Sequence, residues 1–222
     1  MSGPLPKVQV KICGINDAAA YDAACHAGAD WVGFVFYPPS PRAVTPEEAG
    51  ELAARGGTGR RPLCVGLLVD ASDAEIGEVL KSAPLSLLQL HGMESPERCA
   101  AIRARFGLPV MKALGIATPE DLGLLEAYAP AVDRFLLDAK PPRGAALPGG
   151  NAASFDWSLL AGHPIPRPWM LAGGLTPANV ASAIRATGAP AVDVSSGVER
   201  MRGVKDPVLI AAFVAAAHAE QE

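Results

Sequence analysis

The sequence predicts an α/β protein, a single-domain (β/α)8 TIM barrel spanning residues 1–222. Three observations lead there. Short runs of branched aliphatic residues alternate with longer amphipathic stretches along the whole chain, the rhythm of strand–helix units. Eight such units fit into the 222 residues, close to the ~30 residues of a βαβ repeat. The strands are nearly continuous in apolar residues, as in a parallel sheet covered on both faces. An open doubly wound sheet is the rival. It fits less well, because such sheets usually have fewer units and no break in strand order is visible. Single α/β barrels reach ~200–250 residues, so the length calls for no second domain.

Each element has its own signal. Val8–Cys13 is an apolar strand, and Asp17–His26 a helix with Asn16 or Asp17 as N-cap and Gly28 just past its end. Trp31–Phe36 is the second strand. Thr45-Pro46-Glu47-Glu48 opens a helix with a capping hydroxyl, a first-turn proline and acids facing the macrodipole. Strand Leu63–Val69 precedes helix Ser72–Lys81, strand Leu87–His91 precedes helix Ser95–Phe106, and strand Pro109–Ala113 precedes helix Thr118–Tyr128. Arg134–Asp138 is the sixth strand. A Pro- and Gly-rich connection, Lys140–Ser154, then leads to a short helix near Asp156. Connections beyond ~12–15 residues tend to be lids or disordered segments, and Gly149-Gly150-Asn151 would be the hinge. Strand Trp169–Leu171, helix Thr176–Thr187, strand Ala191–Val194 and helix Asp206–Ala219 complete the chain.

Composition narrows the function classes. Half the residues are hydrophobic and 19% are charged, which excludes global disorder. With 5% aromatics the core must be mostly Ala, Val, Leu and Ile. The balance of 19 Lys and Arg against 23 Asp and Glu leaves no electrostatic footprint for nucleic acid. The apolar run Leu63–Val69 is far short of the ~20 residues of a membrane span. Met1–Pro6 lacks the charged-then-apolar pattern of a signal peptide, so a cytoplasmic location is expected. Cys13, Cys25, Cys64 and Cys99 form no C-x-x-C pair, and His26, His91, His163 and His218 have no metal spacing. Free thiols and no bound metal are expected.

A (β/α)8 barrel carries its active site at the C-terminal ends of its strands. The polar residues that terminate strands are Cys13, His91, Lys112, Asp138 and the pair Asp193/Ser195. Residues two apart share a strand face, so Lys11 goes with Cys13, Gln89 with His91, and Asp193 with Ser195. A free cysteine is most often a small buried hydrophobe, but Cys13 precedes a helix, whose N-terminus lowers a thiol pKa. Asp138 would ordinarily cap a helix, yet Lys140-Pro141-Pro142 follows it. After strands seven and eight come Gly173-Gly174 and Ser195-Ser196-Gly197, the loops in which barrels commonly cradle a phosphate. Arg42, in a loop stiffened by Pro38, Pro39 and Pro41, is either a solvated charge or a bidentate clamp for a carboxylate or phosphate.

Several segments together resemble the phosphoribosylanthranilate isomerase family. They are Lys11-Ile12-Cys13-Gly14, Gly33-Phe34-Val35-Phe36, Gln89-Leu90-His91-Gly92, Leu136-Leu137-Asp138, Phe155-Asp156-Trp157, Ala172-Gly173-Gly174-Leu175 and Val192–Glu199. They run in family order and cover nearly the whole chain. The resemblance implies a cofactor-free Amadori rearrangement of N-(5-phosphoribosyl)anthranilate in tryptophan biosynthesis, by a monomer or homodimer. It implies Cys13 as general base, Asp138 as general acid, and Arg42 as the group meeting the anthranilate carboxylate. It places the phosphate at Gly173, Gly174, Ser195, Ser196 and Gly197. With these, Gln89, His91 and Asp193 are expected to line the substrate site. Asp138 must carry a proton when it acts, which apolar walls or a second carboxylate would favour. Cys13 needs the opposite bias, from Lys11 or the helix N-terminus. The chain departs from the family pattern at Gly149-Gly150-Asn151-Ala152-Ala153-Ser154, where a further Gly and a basic residue are usual.

Two other phosphate-binding barrels are the nearest rivals. An indole-glycerol-phosphate synthase type would need a strand-terminal Glu pair, and a ribulose-phosphate epimerase type metal-binding His and Asp pairs. Neither set is present. Another sugar-phosphate aldose–ketose isomerase, or a barrel that only binds a sugar phosphate, stays as the alternative.

Overall fold

A computed structural model describes residues 7–55, 61–140 and 156–219. The Met1–Pro6 segment, most of the Lys140–Ser154 connection with its Gly149-Gly150-Asn151 hinge, and Phe155 lie outside the described residues.

Eight parallel strands close into a barrel in sequence order: β1 (Gln9–Cys13), β2 (Trp31–Phe36), β3 (Leu63–Leu68), β4 (Leu87–Leu90), β5 (Val110–Ile116), β6 (Arg134–Ala139), β7 (Trp169–Leu171) and β8 (Ala191–Val194). Closure between β1 and β8 removes the open-sheet alternative. Around the barrel lie α1 (Ala18–Ala27), α2 (Pro46–Ala54), α3 (Asp73–Ser82), α4 (Pro96–Phe106), α5 (Leu124–Tyr128), α6 (Val180–Thr187) and α7 (Pro207–His218).

The helices begin where the caps require. Asp17 accepts from the Ala20 N–H, and Thr45 and Ser72 each complete a capping box with the glutamate three residues on. The helices that end on Gly28, Gly107 and Gly188 do so with the glycine in the left-handed region, which costs a residue without a Cβ nothing.

Four expected elements differ. The helix expected over Thr118–Tyr128 is a 3-10 turn, Pro119–Gly123, followed by the short α5. The short helix near Asp156 is a 3-10 turn over Trp157–Leu160, with Asp156 as its cap. The helix expected from Thr176 starts at Val180. The Asn179 side chain folds back on the preceding loop, accepting from the Thr176 N–H and donating to the Gly174 carbonyl, so the segment before it is held as a turn closed on the Thr176 carbonyl. Finally, β8 does not lead straight to the last helix. A 3-10 turn over Ser196–Val198 and an antiparallel hairpin, β9 (Glu199–Met201) and β10 (Val204–Lys205), intervene.

Two apolar layers hold the barrel. Alternate strand residues such as Val10, Ile12, Val32, Phe34, Leu88, Leu90, Phe135, Leu137, Val192 and Val194 pack outward under the helices. The complementary set, Trp31, Val65, Leu87, Met111, Ala113, Leu136, Met170 and Ala191, fills the barrel itself. Burying one such aliphatic side chain contributes roughly 1.5–3 kcal/mol, so the layers outweigh any single polar contact. They also fix which polar residues face inward.

Lys112 is corrected by this parity. Met111 and Ala113 point into the barrel, while Val110, Leu114 and Ile116 point out, so Lys112 points out with them, away from the mouth. Its Nζ donates to the Gly92 carbonyl at 2.7 Å and pairs with Glu94 at 2.8 Å, both side chains 2% exposed. Glu94 also accepts from the Asp70 and Gly92 N–H groups. The pair therefore ties the ends of β3, β4 and β5 together. Lys112→Met should destabilise the fold by ~3–5 kcal/mol, because it strands a buried carboxylate. Urea unfolding measures this, and a loss below ~1 kcal/mol would mean that water reaches Glu94.

Candidate active site

The inward parity that excludes Lys112 collects the other strand-end residues. On β1, Lys11 and Cys13 face inward, and the register sets Lys11 beside Asp193 of β8 and Cys13 beside Gly33 of β2. Lys11 Nζ reaches Asp193 Oδ1 at 2.8 Å inside the barrel, with the lysine fully buried. Gly33 makes this possible. A Cβ there would lie 3.1 Å from Cys13 Sγ and 3.3 Å from Lys11 Cε, so the missing side chain leaves the room that thiol and ammonium occupy.

Burial pushes the Cys13 thiol above its ordinary range. The Lys11 and Lys205 ammonium groups pull it back and Asp193 pushes it further, and burial prevails. The helix N-terminus gives little help, since α1 starts only at Ala18 and its amides are capped by Asp17. The depression of the thiol expected from sequence is therefore not reached, although Lys11 acts in the expected direction. Lys11 is itself raised: burial opposes its charge, but Asp193 and Cys13 outweigh that penalty.

Across the mouth, Asp138 ends β6 facing inward, in register with Gly115 of β5. Its Oδ1 accepts from the Ala139 N–H at 2.8 Å, and its Oδ2 lies 3.6 Å from His91 Nε2. Among the described residues its titratable neighbour is thus an imidazole and not a second carboxylate. Gln89, buried below, contacts His91 Nδ1 at 3.0 Å. Gly173 closes against this group, where a Cβ would meet Ala139 N at 2.5 Å and Asp138 Oδ1 at 3.0 Å.

The two glycine-bearing loops lie side by side. Gly173 and Gly174 have φ of 89° and 64°, a pair of left-handed positions that side chains disfavour. A side chain at Gly197 would run into the Leu175 carbonyl, so the Ser195–Gly197 turn sits directly against the Gly173–Leu175 loop. Ser195 is further held by Lys205, which donates to its carbonyl at 2.9 Å and its Oγ at 3.2 Å.

Arg42 is buried, its stem laid over Gly14 next to Cys13. The structure engages its guanidinium internally: Nε and Nη2 donate to the two oxygens of Glu199 at 2.6 and 3.0 Å. Burial would raise the Glu199 carboxyl, but Arg42, Lys205 and the Gly203 N–H hold it down at about 2. Lys205 is lowered by its burial, against the opposing pull of Glu199. Glu199 and Lys205 were not singled out as site residues in sequence. Their signal is the hairpin that carries them, with Arg202-Gly203 as its turn and Gly203 at φ +83°.

Among the described residues no cluster of His, Cys, Asp and Glu could hold a metal. All four cysteines are free, and no described helix is long and apolar enough to cross a membrane.

Comparison with known proteins places the chain in a family. Residues 10–216 match the family model described as N-(5'-phosphoribosyl)anthranilate (PRA) isomerase. The chain is 58% identical over 212 residues to the N-(5'-phosphoribosyl)anthranilate isomerase of Paramagnetospirillum magneticum, covering 95% of this chain and 97% of that one. With the protein of the same name from Paracoccus denitrificans the identity is 57%, covering 96% and 98%. The crystal structure of phosphoribosyl anthranilate isomerase from Thermotoga maritima superposes with a TM-score of 0.82 at 37% identity, covering 96% and 99%. A structure of such an isomerase in complex with reduced 1-(o-carboxyphenylamino)-1-deoxyribulose 5-phosphate superposes with a TM-score of 0.79 at 36% identity, covering 96% and 99%. A model match over nearly the whole chain, with relatives this similar along their full length, leaves one assignment: the chain belongs to the phosphoribosylanthranilate isomerase family.

Proposed function

We propose that the chain catalyses the Amadori rearrangement of N-(5-phosphoribosyl)anthranilate to 1-(o-carboxyphenylamino)-1-deoxyribulose 5-phosphate, a step of L-tryptophan biosynthesis, with Cys13 as base and Asp138 as acid. One observation carries the residue roles. A thiol and a carboxyl end β1 and β6 on the inward face of one barrel, with two glycine-bearing loops on the same rim.

Asp138 delivers a proton to the furanose oxygen as the C1′–O bond breaks, and the ring opens to an iminium. The iminium is the electron sink, which acidifies C2′. The Cys13 thiolate takes that proton, giving an enolamine. Protonation at C1′ with loss of the C2′ hydroxyl proton gives the ketone. The proton taken by Cys13 and the one given by Asp138 are returned through solvent, so the net change is an isomerisation. Each positioned proton transfer is worth ~10²–10⁴ in rate. Lys11, held by Asp193, supplies the positive charge beside the thiolate.

Arg42 takes the anthranilate carboxylate, and the backbone of Gly173, Gly174, Ser195, Ser196 and Gly197 takes the phosphate. Gln89 and His91 line the wall beside Asp138. The ligand is a small phosphorylated molecule, and no cofactor is called for. The chain would act as a monomer or a homodimer. A catalytic free thiol suits the reducing cytoplasm.

The direct test mixes the purified protein with freshly generated phosphoribosylanthranilate and follows loss of anthranilate fluorescence. Rapid loss is expected. A decay no faster than the uncatalysed one would refute the assignment.

A further inference from the structure

Arg42 would be a flexible surface side chain if only its own loop held it. It is instead fixed by a carboxylate from a segment 157 residues away in sequence. Glu199 engages the side-on edge of the guanidinium, Nε and Nη2, with both of its oxygens. Nη1 makes no hydrogen bond among the described residues, so the end-on edge is the one left for a ligand. A guanidinium presents fixed, planar donors, so fixing one edge also fixes the direction of the other.

Glu199 cannot swing. Lys205 Nζ donates to its Oε1 at 2.8 Å, and the Gly203 N–H donates to its Oε2 at 3.0 Å. The hairpin that carries these groups is wedged in place. Asn16 Nδ2 donates to the Gly203 carbonyl at 3.0 Å, and a Cβ at Gly203 would sit 2.7 Å from the Pro41 carbonyl. The β9–β10 turn thus braces the loops that follow β1 and β2, the same two loops that carry Gly14 and Arg42.

We propose that Glu199 is a positioning residue for substrate recognition: it aims the end-on edge of Arg42 at the ligand's carboxylate without touching the ligand itself. The proposal rests on the reading of Arg42 as the carboxylate site.

The test is steady-state kinetics with phosphoribosylanthranilate on four variants: Glu199→Gln, Glu199→Asp, Arg42→Lys and the Glu199→Gln/Arg42→Lys pair. Glu199→Gln should raise KM at least ~10-fold with kcat within ~3-fold, the split expected when binding common to ground and transition states is lost. Glu199→Asp, which keeps the charge but shortens its reach, should fall between wild type and Gln. It carries the same comparison should the Gln variant not fold. Arg42→Lys should raise KM as well. Because Glu199 acts through Arg42, adding Glu199→Gln to Arg42→Lys should raise KM by less than ~3-fold more. Unchanged KM in both Glu199 variants, a fall in kcat alone, or independent multiplication of the two KM effects would overturn the proposal while leaving Arg42's role intact. Unchanged KM in Arg42→Lys would instead remove the carboxylate reading, and the proposal with it.

Discussion

Cys13→Ala is expected to cut turnover at least ~10²-fold while leaving the barrel folded. The substitution removes one sulfur from a small cluster with Val35 and Leu67 and breaks no backbone contact. A structural role would therefore cost stability and leave kcat nearly unchanged, whereas a base cannot be replaced by a methyl group. Cys13→Ser should fail similarly, since a hydroxyl holds its proton far more tightly than a thiol. The pH dependence follows from the direction of the thiol's shift. Burial raises it, so the thiolate form is scarce at low pH, and kcat/KM should climb as pH rises through the alkaline region. Lys11 and Lys205 both favour the thiolate. Lys11→Met therefore removes a stabilising charge and should move that rising limb to higher pH. A limb that stays put in Lys11→Met, or survives in Cys13→Ala, would show that another group titrates. Near-wild-type kcat in Cys13→Ala would end the assignment of the base.

Asp138→Asn should be as damaging, again at least ~10²-fold in kcat. Asparagine is nearly isosteric and its carbonyl oxygen can still accept from the Ala139 N–H, so the strand end and the Gly173 contact survive. What is lost is a transferable proton at the ring oxygen. The His91 contact of 3.6 Å is too long for a hydrogen bond in the free enzyme, and catalytic contacts of this kind often tighten only when substrate is bound. His91 is therefore not expected to replace the missing acid. Thermal unfolding monitored by circular dichroism should show an unchanged midpoint. An Asp138→Asn enzyme that turns over normally would mean that the ring opens without this carboxyl.

Much of the site can be found from short-range sequence signals. Helix starts such as Thr45-Pro46 and Ser72 follow from local hydrogen bonding, and the structure keeps them. The pairing of Lys11 with Cys13 and of Gln89 with His91 on shared faces is a consequence of the two-residue period of a strand. Where competing local interactions act, sequence reading fails. Asn179 bonds back to Gly174 and Thr176, which delays a helix whose residues otherwise favour it. The hairpin after β8 is hidden because its strands are only two or three residues long, too short to show a period.

Sequence by itself determined the number and order of the strand–helix units, and with them a barrel. It also marked the positions of a thiol, a carboxyl and two glycine-bearing turns at strand ends. These follow from interactions between residues close in the chain. Which strand face is the inside was decided only by closure of β1 onto β8, since alternation defines two faces but does not say which one packs on the helices. That choice sends Lys112 outward to Glu94 and brings Lys11 inward to Asp193. Tertiary structure alone decided the state of Cys13, because burial is a property of the assembled barrel. It also decided the partner of Arg42, because a bidentate bond to Glu199 exists only once the first βα loops and the last hairpin have met.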